Sequence, residues 1–163
     1  MTKVFIGGSR NIKEINDKIK EHLDNIINKQ YQVLIGDSYG ADRAVQQYLY
    51  EVHYRNVAVY CSGEKCRNNL GYWKVINIHV PSDLKGDEFY AVKDKSMTQA
   101  ADWGFMLWDG KSSGTLSNIF NILSSNKVAL LYFAPKNHFY TITTAEDIKE
   151  LLEKYRKAGF KKL

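Results

Sequence analysis

Two cysteines and two prolines among 163 residues exclude several protein classes at once. Cys61 and Cys66 are too few for the disulfide framework of a small secreted domain. In a reducing compartment they are expected to stay unbridged, with Cys61 a small buried hydrophobe rather than a nucleophile. As a C-x4-C pair they lack a second pair of ligands, and His22, His53, His79 and His138 stand at no metal-ligand spacing. No metal and no cofactor are therefore expected. The scarcity of proline argues against a Pro-rich linker or a low-complexity chain. No apolar run approaches the ~20 residues that span a bilayer, and the N-terminus stops being apolar too soon for a secretory signal. The expectation is a cytoplasmic protein with no membrane partner. The hydrophobic fraction of 44% and charged fraction of 25% exclude a disordered chain. The length fits one ordinary domain over 1–163.

Acidic residues are few near the C-terminus, and that shapes the net charge of +5. Residues 149–163 hold Lys149, Lys154, Arg156, Lys157, Lys161 and Lys162 against Glu150 and Glu153, so nearly all of the excess sits there. The rest of the chain is close to neutral. A basic helix over 144–163 is a candidate phosphate contact, although such helices are more often solvated faces. Single-stranded nucleic-acid binding is accordingly the weaker alternative.

Short apolar runs alternate with helical periodicity. Val4-Phe5-Ile6, Val33-Leu34-Ile35, Val57 to Cys61, Val75 to Val80, Trp103 to Trp108 and Val128 to Phe133 read as strands. Ile12, Ile15, Ile19, Leu23, Ile26 and Ile27 recur at three and four, predicting a helix, and Ala41 to Val52 and Asp87 to Ala101 read likewise. Leu116, Ile119, Phe120 and Leu123 give a fourth helical face, and two overlapping capping boxes at Thr143 to Asp147 start a last helix. Residues 62–73 read as a loop. The alternation predicts an α/β, Rossmann-like three-layer sandwich with a mostly parallel sheet.

In such a sheet ligands bind beyond the carboxyl ends of the strands. Three connections there are rich in Gly, Ser and Asp: Gly7-Gly8-Ser9-Arg10, Gly36-Asp37-Ser38-Tyr39-Gly40-Ala41-Asp42, and Asp109-Gly110-Lys111-Ser112-Ser113-Gly114-Thr115. Glycines admit an anion close to backbone N–H groups, and each following helix presents its positive end. Any one of these loops is ordinary turn chemistry, and none matches a dinucleotide fingerprint or a Walker loop. Together they predict a phosphate-bearing ligand. Trp108 and Tyr39 are candidates to stack on a base, and Trp103 is read as core. Asp109 is a candidate for a ribose hydroxyl, and Asp42 is read as a helix-capping charge.

Gly8-Ser9-Arg10, then Gly36-x-x-x-Gly40-Ala41-Asp42, resembles the YspA-like branch of the SLOG superfamily. The likeness extends through Ala101-Asp102, Leu107-Trp108-Asp109-Gly110 and Ser113-Gly114-Thr115, and so covers residues 3–133. The third region is similar to the Pro-Gly-Gly-x-Gly-Thr-x-x-Glu motif of LOG-type phosphoribohydrolases and to the corresponding loop of nucleoside deoxyribosyltransferases. The resemblance implies a Rossmann-like pocket for a nucleotide or nucleotide-derived small molecule, in a protein that is often a homo-oligomer. The DNA-processing protein A family, a further relative, binds single-stranded DNA.

Where the enzymes of these families carry a glutamate, this chain has Asn118, and where LOG-type enzymes carry Arg-Lys before a methionine it has Lys93-Asp94 before Met97. An N-glycosidase needs a carboxylate for its oxocarbenium-like transition state, and Asn118 supplies only hydrogen bonds, here to a ribose hydroxyl. The replacement favours a binder or sensor over an N-glycosidic hydrolase or transferase. For the catalytic alternative, Asp94 and Glu88 are the candidate acids, with Tyr90 or Lys93 positioning the sugar. Against it, Asp87 reads as an N-cap, Glu88 as first-turn charge and Asp94 as solvated.

Overall fold

In a computed structural model that describes residues 1–157, each apolar run becomes a strand of one sheet. In chain order the elements are β1 (Lys3–Gly8), α1 (Asp17–Asn28), β2 (Gln32–Gly36), α2 (Ala41–Glu51), β3 (Val57–Ser62) and β4 (Lys74–Ile78). Then follow α3 (Asp87–Ala100), β5 (Trp103–Trp108), α4 (Ser113–Ser124), β6 (Ala129–Phe133), β7 (His138–Ile142) and α5 (Ala145–Lys157). The sheet order is β4-β3-β2-β1-β5-β6-β7, parallel except for the β6–β7 pair. The fold is a Rossmann-like three-layer sandwich.

Side-chain alternation along the strands sorts the core into two layers. Val4 and Ile6 of β1 pack with Ile19 and Leu23 of α1 and Val45 and Leu49 of α2. Phe5, one step out of phase, belongs to the other core layer, with Met97 of α3, Ile119 of α4, and Ile148 and Leu151 of α5. Both faces of the central strands are thus sealed, which is why they read as unbroken apolar runs.

The chain first winds outward from β1 through β2 and β3 to β4, then α3 carries it back across to β5, on the other side of β1. The strand order therefore reverses between β1 and β5. At such a switch point the loops on either side diverge and leave a crevice at the carboxyl edge.

Several boundaries differ from the sequence reading. The first helix starts at Asp17 rather than near Ile12, because the Asn16 side chain accepts the Ile19 N–H at 2.9 Å and caps it. Ile12 and Ile15 still pack on the core from the preceding segment. Asp87 is the first residue of α3, and Gly86 holds the cap position. Strand β4 ends at Ile78 instead of Val80. Strand β7, absent from the sequence reading, closes the sheet as an antiparallel edge after a left-handed turn at Asn137. Of the two capping boxes, Thr144 and Asp147 form one reciprocally at the start of α5. The basic helix is described to Lys157; Lys161 and Lys162 lie outside the described residues.

The largest departure is at the cysteines. Cys61, at the end of β3, and Cys66, in the following loop, form a disulfide with Cα atoms 5.3 Å apart. The expectation of two free thiols is corrected. The loop after β3 doubles back, and it brings a half-buried Cys66 onto a fully buried Cys61, within the usual span of a bridge.

Candidate functional site

The three Gly/Ser/Asp connections meet where the strand order reverses. Gly8 pairs with Leu107 in the β1–β5 ladder, and a Cβ on it would lie 2.5 Å from the Leu107 carbonyl and 2.7 Å from the Ala41 Cβ. Only glycine lets α2 start so close to the end of β1. Gly40, at φ +84°, does the same for the next contact, since a Cβ there would overlap the Arg10 backbone. The Ala41 N–H then donates to the Ser9 carbonyl at 3.1 Å, joining the first loop to the second.

Ser9 joins the first loop to the third. Its buried hydroxyl donates to Asp109 Oδ1 at 3.2 Å, accepts the Asp109 N–H at 3.1 Å and meets the Thr115 hydroxyl at 3.2 Å. Asp109 also accepts the N–H groups of Lys111 and Ser112 at 2.9 and 2.8 Å, and Asn11 Nδ2 at 3.2 Å. Burial would raise its pKa, but these backbone and side-chain donors together outweigh burial and hold it below the usual carboxylate range. Asp109 therefore stays ionised and folds the loop around itself. Ser112 caps α4, and the first N–H groups of that helix, from Ser113 and Gly114, have no intrahelical partner.

The resulting cleft has a volume of about 730 Å³. Its walls include Gly8 and Arg10 of the first loop, Ser38 of the second, and Asp109, Ser112, Ser113, Gly114 and Thr115 of the third. From the opposite side α3 contributes Glu88, Tyr90, Lys93 and Asp94, and α4 contributes Asn118. Glu88 is exposed, whereas Lys93 is buried.

Beneath this wall lies a charge cluster that sequence reading does not assemble. Lys93 Nζ donates to Asp94 Oδ1 at 2.9 Å and to the Tyr90 carbonyl at 3.0 Å. Asn118 Nδ2 donates to Asp94 Oδ2 at 3.1 Å, so Asp94 is held from both sides rather than solvated. Asp42 is buried too, and accepts the Ser38 N–H at 3.2 Å. Burial pushes its pKa up to about 7; Lys93 opposes that rise, and Asp94 adds to it. Asp42 is thus a buried carboxyl in the cleft floor that holds its proton far above the usual carboxylate range, and more than a helix-capping charge. Gly36 leaves the space it needs, for a Cβ there would sit 2.7 Å from Asp42 Oδ2.

Six predicted ligand residues stand elsewhere, Gly36 among them, beneath the Asp42 carboxyl. Trp108 is buried in the core, with its Nε1–H given to the Ser112 carbonyl at 2.9 Å, so it braces the third loop and has no free face for a base. Gly110 turns that loop over Phe133 and Pro135. Asp37 is buried behind the wall, and Ser9 is the buried tie between loops. Tyr39 is exposed, but it lines a second groove of about 560 Å³ between α1 and α2, on the far side of Arg10. That groove runs along the α2 flank from its cap residue Gly40 to Glu51, and none of the third loop lines it. Trp103 is only half-buried, packed against the α1–α2 side of the core.

Arg67, in the loop between β3 and β4, also lines the cleft, and no sequence motif marks it. It pairs with Asp37, 30 residues earlier, at 2.7 Å. Asp37, Cys61 and Cys66 cluster closely enough to suggest a metal site. However, both sulfurs are in the disulfide and both Asp37 oxygens are taken by Arg67, so no ligand atom is free there.

No protein-family model, curated protein or solved structure matches this chain.

Proposed function

We propose that this chain binds a nucleotide, or a small molecule derived from one, in the switch-point cleft, in the manner of a SLOG-type binder or sensor. One observation carries the reading: the loops after β1, β2 and β5 open onto a single cleft at the start of α4. Unpaired N–H groups and the positive end of a helix favour an anion there. Arg10 adds a bidentate donor at the cleft wall. The cleft volume lies within the range of small-molecule and cofactor sites.

Native mass spectrometry of the purified chain, followed by calorimetric titration with nucleoside mono-, di- and triphosphates, tests it. The expected result is one site per chain, with a dissociation constant of roughly micromolar order that changes little between low and moderate salt. If none of these ligands binds, while single-stranded DNA binds with an affinity that collapses as salt rises, the reading fails.

The bond between Asn118 and Asp94 favours a second, catalytic reading. The carboxylate missing at position 118 is supplied by the neighbouring helix, and Asn118 orients it. In N-glycosidic hydrolysis the C1′–N bond breaks, water oxygen bonds to C1′, and a proton ends on the departing base. Asp94 is placed to stabilise the sugar cation or take the proton of water, with Glu88 at the mouth. If the panel releases free base, Asp94→Asn lowers that release about 100-fold or more while changing affinity only slightly. Equal turnover in the variant removes Asp94 from the chemistry.

A further inference from the structure

The loop between β3 and β4 reaches the cleft through Arg67. Its guanidinium lies 3.8 Å over the Tyr90 ring. Nη2 donates to Asp37 Oδ1 at 2.7 Å, and the backbone N–H of the same residue donates to Asp37 Oδ2 at 2.9 Å. Asp37 is itself 1% exposed, so it fixes the arginine from behind, while the Arg67 side chain stays 19% exposed at the cleft. Its Nε is buried without a hydrogen-bond partner. A guanidinium stacked on one face and tied along one edge is preorganised for a planar or tetrahedral anion.

Two anchors flank this residue. On the C-terminal side, Asn68 Nδ2 donates to the Asp37 carbonyl at 2.8 Å, and Asn68 accepts from Arg43 and Gln46 of α2. On the N-terminal side the anchor is the Cys61–Cys66 disulfide, whose second half-cystine immediately precedes Arg67. Cys61 is fully buried within β3, whereas Cys66 is half-buried in the loop. When the bond is reduced, the sulfurs must part to van der Waals contact. Cys61 is held in the β3–β4 ladder opposite Asn77, so the movement falls on Cys66 and its neighbour.

We propose that Arg67 is an anion-binding residue of the cleft and that the Cys61–Cys66 disulfide sets its position, so that ligand affinity depends on the thiol–disulfide state of the chain. The inference rests on the nucleotide reading above and adds one recognition residue and its control. In the switching step a small dithiol supplies two electrons and two protons. The sulfur–sulfur bond of the chain breaks into two thiols, and the dithiol closes to its own disulfide. A small-molecule disulfide reverses the exchange.

The test titrates a nucleoside monophosphate into the oxidised and the dithiothreitol-reduced chain, with free thiols counted in each. Binding to the reduced chain is expected to be roughly tenfold weaker, the scale of one charge-assisted hydrogen bond. Cys66→Ser matches the reduced chain and ignores reductant. Arg67→Ala loses about tenfold or more whichever state the cysteines are in. If Cys66→Ser does not fold, the comparison within the parent chain stands alone. Equal affinity in both states, with the thiol count confirming the change, overturns the inference, as do cysteines that remain free after treatment with oxidised glutathione. An Arg67→Ala chain that binds as the parent does also overturns it. Those results leave the cleft reading intact, whereas no nucleotide binding in either state overturns both.

Discussion

Gly114→Trp abolishes nucleotide binding and leaves the chain folded. Gly114 is the second residue of α4 and lines the cleft, and a Cβ built on it meets no atom within 4 Å. An indole there enters open space and displaces nothing in the core. It does cover the N–H groups of the first helical turn, where the anion is bound on this account. Stability should change by less than about 1 kcal/mol, since glycine is the poorer helix former. Affinity should fall at least about 100-fold, because both the volume and the donors are lost together. Calorimetric titration beside a thermal melt reads the two effects separately. A variant that melts like the parent and binds nucleotide unchanged removes the third loop from the site.

The second large effect is a pH dependence of stability that Asp42→Asn removes. Burial, opposed by Lys93 and reinforced by Asp94, raises the Asp42 pKa from 3.8 to about 7. Below 3.8 the group is protonated whether the chain is folded or not, and its native environment contributes fully to stability. Between 3.8 and about 7 the unfolded chain releases the proton while the folded chain keeps it, so stability declines as pH rises. Above about 7 the folded chain must also ionise a buried carboxyl, and the contribution is gone. An amide at position 42 keeps an oxygen for the Ser38 N–H and carries no charge to desolvate. Asp42→Asn should therefore match the parent near pH 4 and exceed it by about 2–4 kcal/mol near pH 8. Urea unfolding at both pH values measures the difference. A gap that does not grow between them contradicts the burial argument. The protonated form also adds no charge repulsion, so an anionic ligand should bind the parent more tightly at pH 6 than at pH 8.

What the sequence made legible follows from how local each signal was. The third loop and its helix are contiguous: Asp109 bonds Lys111 and Ser112 two and three residues on, and Ser112 caps its own helix. Turn chemistry and periodicity within a dozen residues were enough to find that unit. The strands of the parallel sheet were equally plain, because burial on two faces leaves them apolar throughout. Strand β7 was hidden because it is a half-exposed edge, where His138, Phe139, Tyr140 and Thr141 do not alternate cleanly.

The wall of the cleft opposite the loops was harder to read. Lys93 and Asp42 are 51 positions apart, and only the passage of α3 over the ends of β1 and β2 brings them together. Charged residues on a helix ordinarily read as a solvated face, and nothing local marked Lys93 as buried. Arg67 lay within a stretch read as loop, and its partner Asp37 sits on the preceding βα connection. The disulfide is hidden in the sequence for the same reason. Five positions of separation says little, whereas the doubled-back loop brings their Cα atoms to 5.3 Å. Trp108 went the other way. Its place at the carboxyl end of a strand suggested a stacking face, but the helix it precedes folds over it.

The most direct test is a titration of isotope-labelled chain with a nucleoside monophosphate, followed amide by amide in solution. The amides of Gly8, Ser38, Ser113, Gly114 and Thr115 should shift together along one binding curve, with those of Lys13, Tyr39 and Gln47 in the outer groove nearly still. Shifts confined to the outer groove, or none at all, would contradict the assignment of the switch-point cleft as the nucleotide site.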